Sequence, residues 1–331
     1  MGYRAEKNKI EKKIRLIRII ALCVALASVL GLCVFSVFVP PITWKYYVAK
    51  PSVPKCGDGE LRMHFIDVGQ GDSSLIELPD GKVALIDGGD TSDNASKAVL
   101  RYLNALDIDV IDYLFVSHSD GDHCGGLTTV LQHKTILNAY LPFANPEYAT
   151  GTYLQFYQTV LAEGCEIFYT SREVVLMDSA QTYQLSCLYP YSLDVNSNLL
   201  YWQEPESSVM WLEYMGVGAL FMADAGMSIE SELLRDDEFN MLPAGVDLTR
   251  MKILKVGHHG SKYSTSSAFL EYCNIEAAVI SCGEGNPYGH PTEETLGRLK
   301  DAGVKTFRTD RDGSVVISIG SKDGFGVKLI K

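Results

Sequence analysis

Ten consecutive residues, Ser117 to Gly126, constrain this chain more than any other stretch. They read Ser-His-Ser-Asp-Gly-Asp-His-Cys-Gly-Gly. Two imidazoles and two carboxylates fall within six positions, from His118 to His123. The apolar run Ile111–Val116 leads in and Leu127–Leu131 leads out. The expected local order is therefore strand, ligand-bearing loop, helix. Buried charge of this density costs several kcal/mol unless it is partnered, and a divalent cation is the simplest partner. His nitrogen with Asp oxygen suits zinc, and a richer share of carboxylate favours manganese or iron. His118, Asp120, Asp122 and His123 are the candidate ligands. A polar surface loop would account for one His–Asp pair, but not for His-x-Asp-x-Asp-His at a strand end. The glycines let the backbone turn sharply around the ligands.

The N-terminus sets a second constraint. Residues 1–18 carry seven Lys and Arg against Glu6 and Glu11, and Ile19 to Val39 carries no charge. Those 21 residues are enough to cross a hydrocarbon core about 30 Å thick at about 1.5 Å per residue. Pro40-Pro41 closes the run, and Trp44, Tyr46 and Tyr47 stand where an interfacial aromatic belt belongs. Basic residues ahead of the span predict a cytoplasmic N-terminus with the remainder outside. A cleaved signal peptide is the alternative, but it would have a shorter apolar region and a small-x-small site behind it. Ala25 and Ala27 lie inside the run, and Leu32-Cys33 is a poor lipoprotein site. The expected organisation is a basic tail (1–18), an uncleaved anchor (19–39), a linker (40–60) and one catalytic domain (61–331).

Charge bears on substrate. Residues 1–50 hold nine of the 29 Lys and Arg and two of the 41 Asp and Glu, leaving 20 basic against 39 acidic residues and a net charge of −19. A broad electropositive footprint for duplex DNA is not evident. Of the eight cysteines, Cys23 and Cys33 lie in the span, and the other six show neither a disulfide framework nor a CxxC metal pair. Free thiols are the expectation.

Along the domain, strands are expected near Arg62–Asp67, Ser74–Leu78, Val83–Ile86, Ile111–Val116 and Ile136–Leu141, with helices from Ser92 or Asp93 to about Leu106 and over Tyr153–Ala162. Short strands follow near 166–169, 173–176 and 183–188, then a loop over 196–206. A hairpin, 208–214 with 219–222, is expected around Met215-Gly216-Val217-Gly218. The strand Ile253–Val256 runs into Gly257-His258-His259-Gly260-Ser261. Helices at 267–272 and 293–302 alternate with closing strands. Strand clusters alternating with helices in two similar halves fit two packed sheets with helices outside. Adjacent histidines on a turn point in different directions, so His258 and His259 need not serve one ion. Asp224, after the apolar strand Leu220–Met222, is open to two readings, helix cap or ligand. Asp72 either faces substrate or caps a turn, the turn cap being the better reading; His64 reads as a packed or surface histidine rather than a ligand, and His133 as a surface one.

The loop His118–His123, the opening Met63-His64-Phe65-Ile66-Asp67-Val68-Gly69-Gln70-Gly71-Asp72-Ser73 and His258-His259-Gly260-Ser261 together resemble the metallo-β-lactamase-fold superfamily, in its ComEC-like competence-protein branch. The resemblance covers roughly Leu61 to Leu329 and implies an αββα sandwich with the metal site at one edge between the sheets. It implies two divalent ions, Zn²⁺ or Mn²⁺, with Asp224 bridging them and His258 as the further ligand. It leaves Asp122 and His259 for catalysis, with His259 touching substrate or donating a proton. Ser261 and Lys262 would hold a phosphate, and His290, in Tyr288-Gly289-His290-Pro291, would contact substrate. Asp87, in Ile-Asp-Gly-Gly, resembles the family's structural Asp near the metals. Ala223 stands where the family usually has Gly. No histidine lies between His133 and His258, so the first metal lacks its usual third imidazole; Glu206 is the candidate substitute. The implied activity is phosphodiester cleavage outside the membrane, with single-stranded DNA as a candidate substrate. A small-molecule or cell-envelope phosphoesterase, similar to phosphocholine esterases, and a non-catalytic metal-stabilised binding module are the alternatives.

Overall fold

A computed structural model describes residues 2–38, 51–142, 149–191, 207–321 and 324–330. The chain forms two units, residues 1–49 and 50–331. In the first, helix α1 (Gly2–Phe38) includes the stretch Glu11–Phe35, long and apolar enough to cross a membrane. The proposed aromatic belt, Trp44, Tyr46 and Tyr47, lies outside the described residues.

The second unit is built on two sheets. The first takes β1 (Leu61–Phe65), β2 (Ser74–Glu77), β3 (Val83–Ile86), β4 (Val110–Phe115), β5 (Thr135–Leu141), β6 (Glu166–Tyr169), β14 (Ser314–Ser321) and β15 (Gly324–Ile330), in the order β15-β14-β1-β2-β3-β4-β5-β6. The second takes β7 (Val175–Met177), β8 (Tyr183–Tyr189), β9 (Val209–Tyr214), β10 (Val217–Phe221), β11 (Met251–Lys255), β12 (Ala277–Ile280) and β13 (Lys305–Arg308), in the order β13-β12-β11-β10-β9-β8-β7. Each sheet has a parallel half, β3 to β6 and β10 to β13, and an antiparallel half.

Period-two sequence decides the layering. Leu61, Met63 and Phe65 of β1, Ala84 and Ile86 of β3 and Val315, Ile317 and Ile319 of β14 face a shared core with Leu185, Leu212, Ala219, Phe221 and Ile253 of the other sheet. The alternate residues turn outward. Val83, Leu85 and Leu114 pack under helices α2 (Asp93–Ala105), α4 (Leu127–Leu131) and α5 (Gly151–Glu163). Leu220, Leu254 and Ala278 pack under α6 (Met227–Glu238), α7 (Ser267–Tyr272) and α8 (Glu293–Asp301). The result is helix, sheet, sheet, helix, the αββα sandwich that the sequence led one to expect. Two short helices, α3 (Gly121–Cys124) and α9 (Thr309–Asp312), complete the order.

One boundary differs for a physical reason. The β9–β10 hairpin turns on two residues, Met215 and Gly216, both with positive φ (50° and 78°), as the right-handed strand twist favours. Val217 and Gly218 belong to β10. Gly218 stays in the strand because the Trp211 ring lies over it: a Cβ there would meet Trp211 Cη2 at 2.3 Å.

Candidate metal centre

The site stands where strands run out. The loops after β3, β4, β10, β11 and β12 all leave the carboxyl ends of parallel strands, the edge at which open α/β sheets gather ligands. They bring in Asp87, His118 to His123, Asp224, His258 with His259, and the segment 281–291.

His123 lies at the centre, with no exposed surface. Its Nδ1 is 2.8 Å from Asp87 Oδ2, whose carboxylate also accepts from Ser117 N–H (2.8 Å) and Ser117 Oγ–H (2.6 Å). That bond fixes the ring and leaves Nε2 facing Asp224 Oδ1 at 3.2 Å. Asp224 is shared. Its Oδ1 also lies 3.6 Å from His259 Nε2, and its Oδ2 lies 3.8 Å from His118 Nε2 and 3.6 Å from His258 Nε2. Asp122 Oδ2 sits 3.2 Å from His259 Nε2, and Asp120 Oδ2 lies 3.6 Å from His118 Nε2 at the exposed margin.

The two adjacent histidines take different stations. His259 is buried; its Nδ1–H donates to Ser281 O (3.0 Å), which leaves Nε2 toward Asp122 and Asp224. The His258 side chain is 47 % exposed and faces the outer oxygen of Asp224. The station that the resemblance gave to His258, beside Asp122 and His123, is held in this geometry by His259. His290 is half-buried, its ring 5.6 Å from that of His258, with Nδ1 unpartnered among the described residues. Ser261 is buried and its hydroxyl accepts from Tyr263 N–H (3.4 Å). Lys262 is exposed, its ammonium 5.0 Å from the Tyr263 ring centroid. Glu206 lies outside the described residues.

Backbone strain marks the same place. Ala223, His258 and His259 have φ of 45°, 47° and 52°, each a left-handed conformation that costs a non-glycine residue on the order of 1–3 kcal/mol. His258 N–H donates to Ala223 O at 2.7 Å, so the two strained turns lock together. Gly257 makes this possible, since a Cβ there would meet Ala225 O at 2.4 Å. The loop beyond is clamped. Glu230 accepts from Thr265 N–H and Ser266 N–H, and Arg298 donates to the carbonyls of Lys262, Ser264 and Thr265. Asp87 also has positive φ (59°).

Charges in the cluster answer one another. Burial alone would lower the pKa of His123, but Asp224 and Asp87 outweigh it and hold the imidazole well above its ordinary value. Burial would raise Asp224, and His123, His259 and His118 hold it well below. For His259, burial is outweighed by Asp122 and Asp72, and the pKa rises to about 9. The His118 contact lowers Asp120. Asp72 is corrected from the turn cap expected of it: it is 4 % exposed, and burial, which would raise it, is outweighed by Lys255, so it stays far below the carboxylate range.

The donor set fits divalent metal. Three buried atoms, His118 Nε2, His123 Nε2 and Asp224 Oδ1, have no hydrogen-bond partner among the described residues, an arrangement that is costly unless something binds them. His118, His123 and Asp224 offer ligand atoms within 4.8 Å of one another, as do Asp122, His123 and His259. A mixed imidazole and carboxylate set suits zinc or manganese. Sequence reasoning passed over two residues here. Ser207 Oγ accepts from Asp224 N–H (3.1 Å) and lies 3.4 Å from His118 Nδ1. Lys255 is the other, and its signal was a lone charge in the apolar run before His258.

Residues 66–174 match the model of the metallo-β-lactamase superfamily. The ComE operon protein 3 of Bacillus subtilis is 28 % identical over 275 residues, covering 78 % of this chain and 33 % of that protein. The competence protein ComA of Neisseria gonorrhoeae is 28 % identical over 263 residues, covering 80 % and 33 %. The chain thus spans about a third of the length of the curated relatives it matches. Among solved structures, a metallo hydrolase from the archaeon Ignicoccus hospitalis superposes with a TM-score of 0.48 at 13 % identity, over 80 % of this chain and 100 % of that one. The two-sheet fold and the His/Asp cluster agree with the family match over residues 66–174, so the chain carries a metallo-β-lactamase-like domain, similar in sequence to the ComE operon protein 3 and the competence protein ComA.

Proposed function

We propose that this chain is a membrane-anchored, extracytoplasmic metal-dependent phosphodiesterase that cleaves DNA. The observation that carries the reading is Asp224, whose two oxygens face two separate groups of donors. Asp122, His123, Asp224 and His259 are assigned to one ion, and His118, Asp224 and the marginal Asp120 and His258 to the other. Two divalent ions in such a site bind a phosphoryl group, activate water and stabilise the charge of in-line attack. The chain's own residues do the rest. Asp87 and Ser281 O fix the rings of His123 and His259. His290, at the open face, is placed to hand a proton to the departing oxygen. Lys262, exposed on the clamped loop, is placed to meet a phosphate.

One relative is a competence protein, that of Neisseria gonorrhoeae, which supports nucleic acid as the substrate class. The basic residues in the first half of α1, ahead of the uncharged run from Ile19, support a cytoplasmic N-terminus. One observation favours a second reading. The net charge of −19 beyond residue 50 suits a small or cell-envelope phosphodiester better than a long polyanion.

The test is hydrolysis by the full chain in detergent, loaded separately with Mn²⁺ and Zn²⁺, on a labelled single-stranded oligonucleotide and on bis-p-nitrophenyl phosphate. Oligonucleotide cleavage that the Asp122→Ala, His123→Ala variant loses establishes the nuclease. Turnover of the small ester alone moves the substrate to the second class. No turnover with either metal leaves a metal-stabilised binding module.

A further inference from the structure

We infer that the buried ion pair Lys255–Asp72 is a positioning device for the metal centre, acting through His259. Lys255 is the last residue of β11 and is 2 % exposed. Period two puts it on the face of Ile253, which points between the sheets. An ammonium there needs a reason, because a buried ion pair commonly returns less than its desolvation costs, and a hydrophobic pair of the same shape would be as stable. Its contacts supply one. Lys255 Nζ lies 2.7 Å from Asp72 Oδ2 and donates to Val256 O at 2.9 Å. Asp72 Oδ1, with no hydrogen bond among the described residues, lies 3.4 Å from His259 Nδ1.

The Asp72 backbone is threaded through the ligand loops. Its N–H donates to Asp122 O (3.1 Å), and its carbonyl accepts from Gly89 N–H (2.8 Å). Gly71 permits this, since a Cβ there would meet Asp122 O at 2.2 Å. Asp72 therefore stands behind both Asp122 and His259. Ser281 O fixes the His259 tautomer, and the Asp72 carboxylate behind the ring keeps Nε2 a strong donor, as carboxylates behind ligating imidazoles do. Asp72, Asp224 and His259 also form a group that could itself hold an ion. By holding Oδ2, Lys255 keeps Asp72 behind His259 and prevents it from competing as a ligand.

This rests on the metal reading, so the experiment separates the two. Full-length protein in detergent is titrated with Co²⁺, reading affinity, stoichiometry and the visible d–d spectrum, for wild type, Lys255→Met, Lys255→Arg, and the neutral pair Asp72→Asn, Lys255→Met. Lys255→Met should lose about tenfold to hundredfold in affinity for one ion, the range for partners behind metal ligands, with a changed spectrum. Lys255→Arg should restore most of both. Should Lys255→Met fail to fold, the neutral pair, which leaves no buried charge, carries the test, with one ion weakened about tenfold or more. A folded neutral pair that binds Co²⁺ with wild-type affinity and spectrum overturns the positioning role while leaving the metal reading intact. Wild type that binds no Co²⁺ overturns both.

Discussion

Single residues at the centre carry opposed electrostatic demands, and pH resolves them. His259 has its pKa raised to about 9, against about 6.5 in an unfolded chain. Its contribution to the stability of chelator-treated protein is full below about pH 6.5 and is lost as pH rises through about 9. Asp224 has the opposite sign: its contribution is full above about pH 4 and lost only at strongly acidic pH. Chelated protein should thus melt at its highest temperature between about pH 4 and 6.5 and progressively lower toward pH 9. His259→Gln should lessen that alkaline slope, leaving the share due to His123, and added Mn²⁺ should flatten it, because a ligating imidazole is already deprotonated. Melting followed by circular dichroism, with and without chelator, decides this. Gly71→Ala makes a steric test. Its φ is 126°, and the new Cβ would reach Asp122 O. A loss of stability of about 1–3 kcal/mol is expected, along with weaker metal binding, read by melting and Mn²⁺ titration. A neutral outcome would show that the Asp72–Asp122 contact is not close-packed.

At the scale of elements, most of the strands were legible because buried faces alternate, and the β4–loop–α3 passage was legible because chemistry is concentrated in it. Other features were not. The left-handed turns at Ala223 and His258-His259 leave no composition signal, since none of the three is glycine. That His259 and not His258 turns inward follows from those φ angles and from Ser281, 22 residues away. Lys255 found its partner across the fold in Asp72, a pairing that local sequence does not encode. The clamp on residues 262–266 is likewise assembled from two distant helices, α6 through Glu230 and α8 through Arg298. Arg298→Met removes charged donors from three carbonyls. It should cost about 2–3 kcal/mol and raise KM for a phosphodiester more than it lowers kcat, because Lys262 loses its fixed station. Steady-state kinetics that show a fall in kcat alone would assign the clamp to the chemistry instead.

For the whole molecule, charge makes a measurable statement about substrate. Proteins that grip DNA by many phosphates lose affinity steeply with salt. This acidic domain, with Lys262 as its exposed cation on the site loop, should show a log–log salt slope for oligonucleotide KM of magnitude about 1–2. A slope near the value for six or more phosphate contacts would require a basic partner or a face elsewhere on the domain. Finally, β1 and β14 are paired along their whole register, Leu61 with Ile319 through Phe65 with Val315. The chain therefore comes into and leaves the sandwich through one margin of one sheet, three strands wide, while the chemistry hangs from β3, β4, β10, β11 and β12. A domain closed on itself in this way behaves as a cassette: what it is tethered to can be exchanged without redrawing the catalytic loops. Replacing residues 1–38 with an unrelated apolar helix should leave turnover of bis-p-nitrophenyl phosphate unchanged.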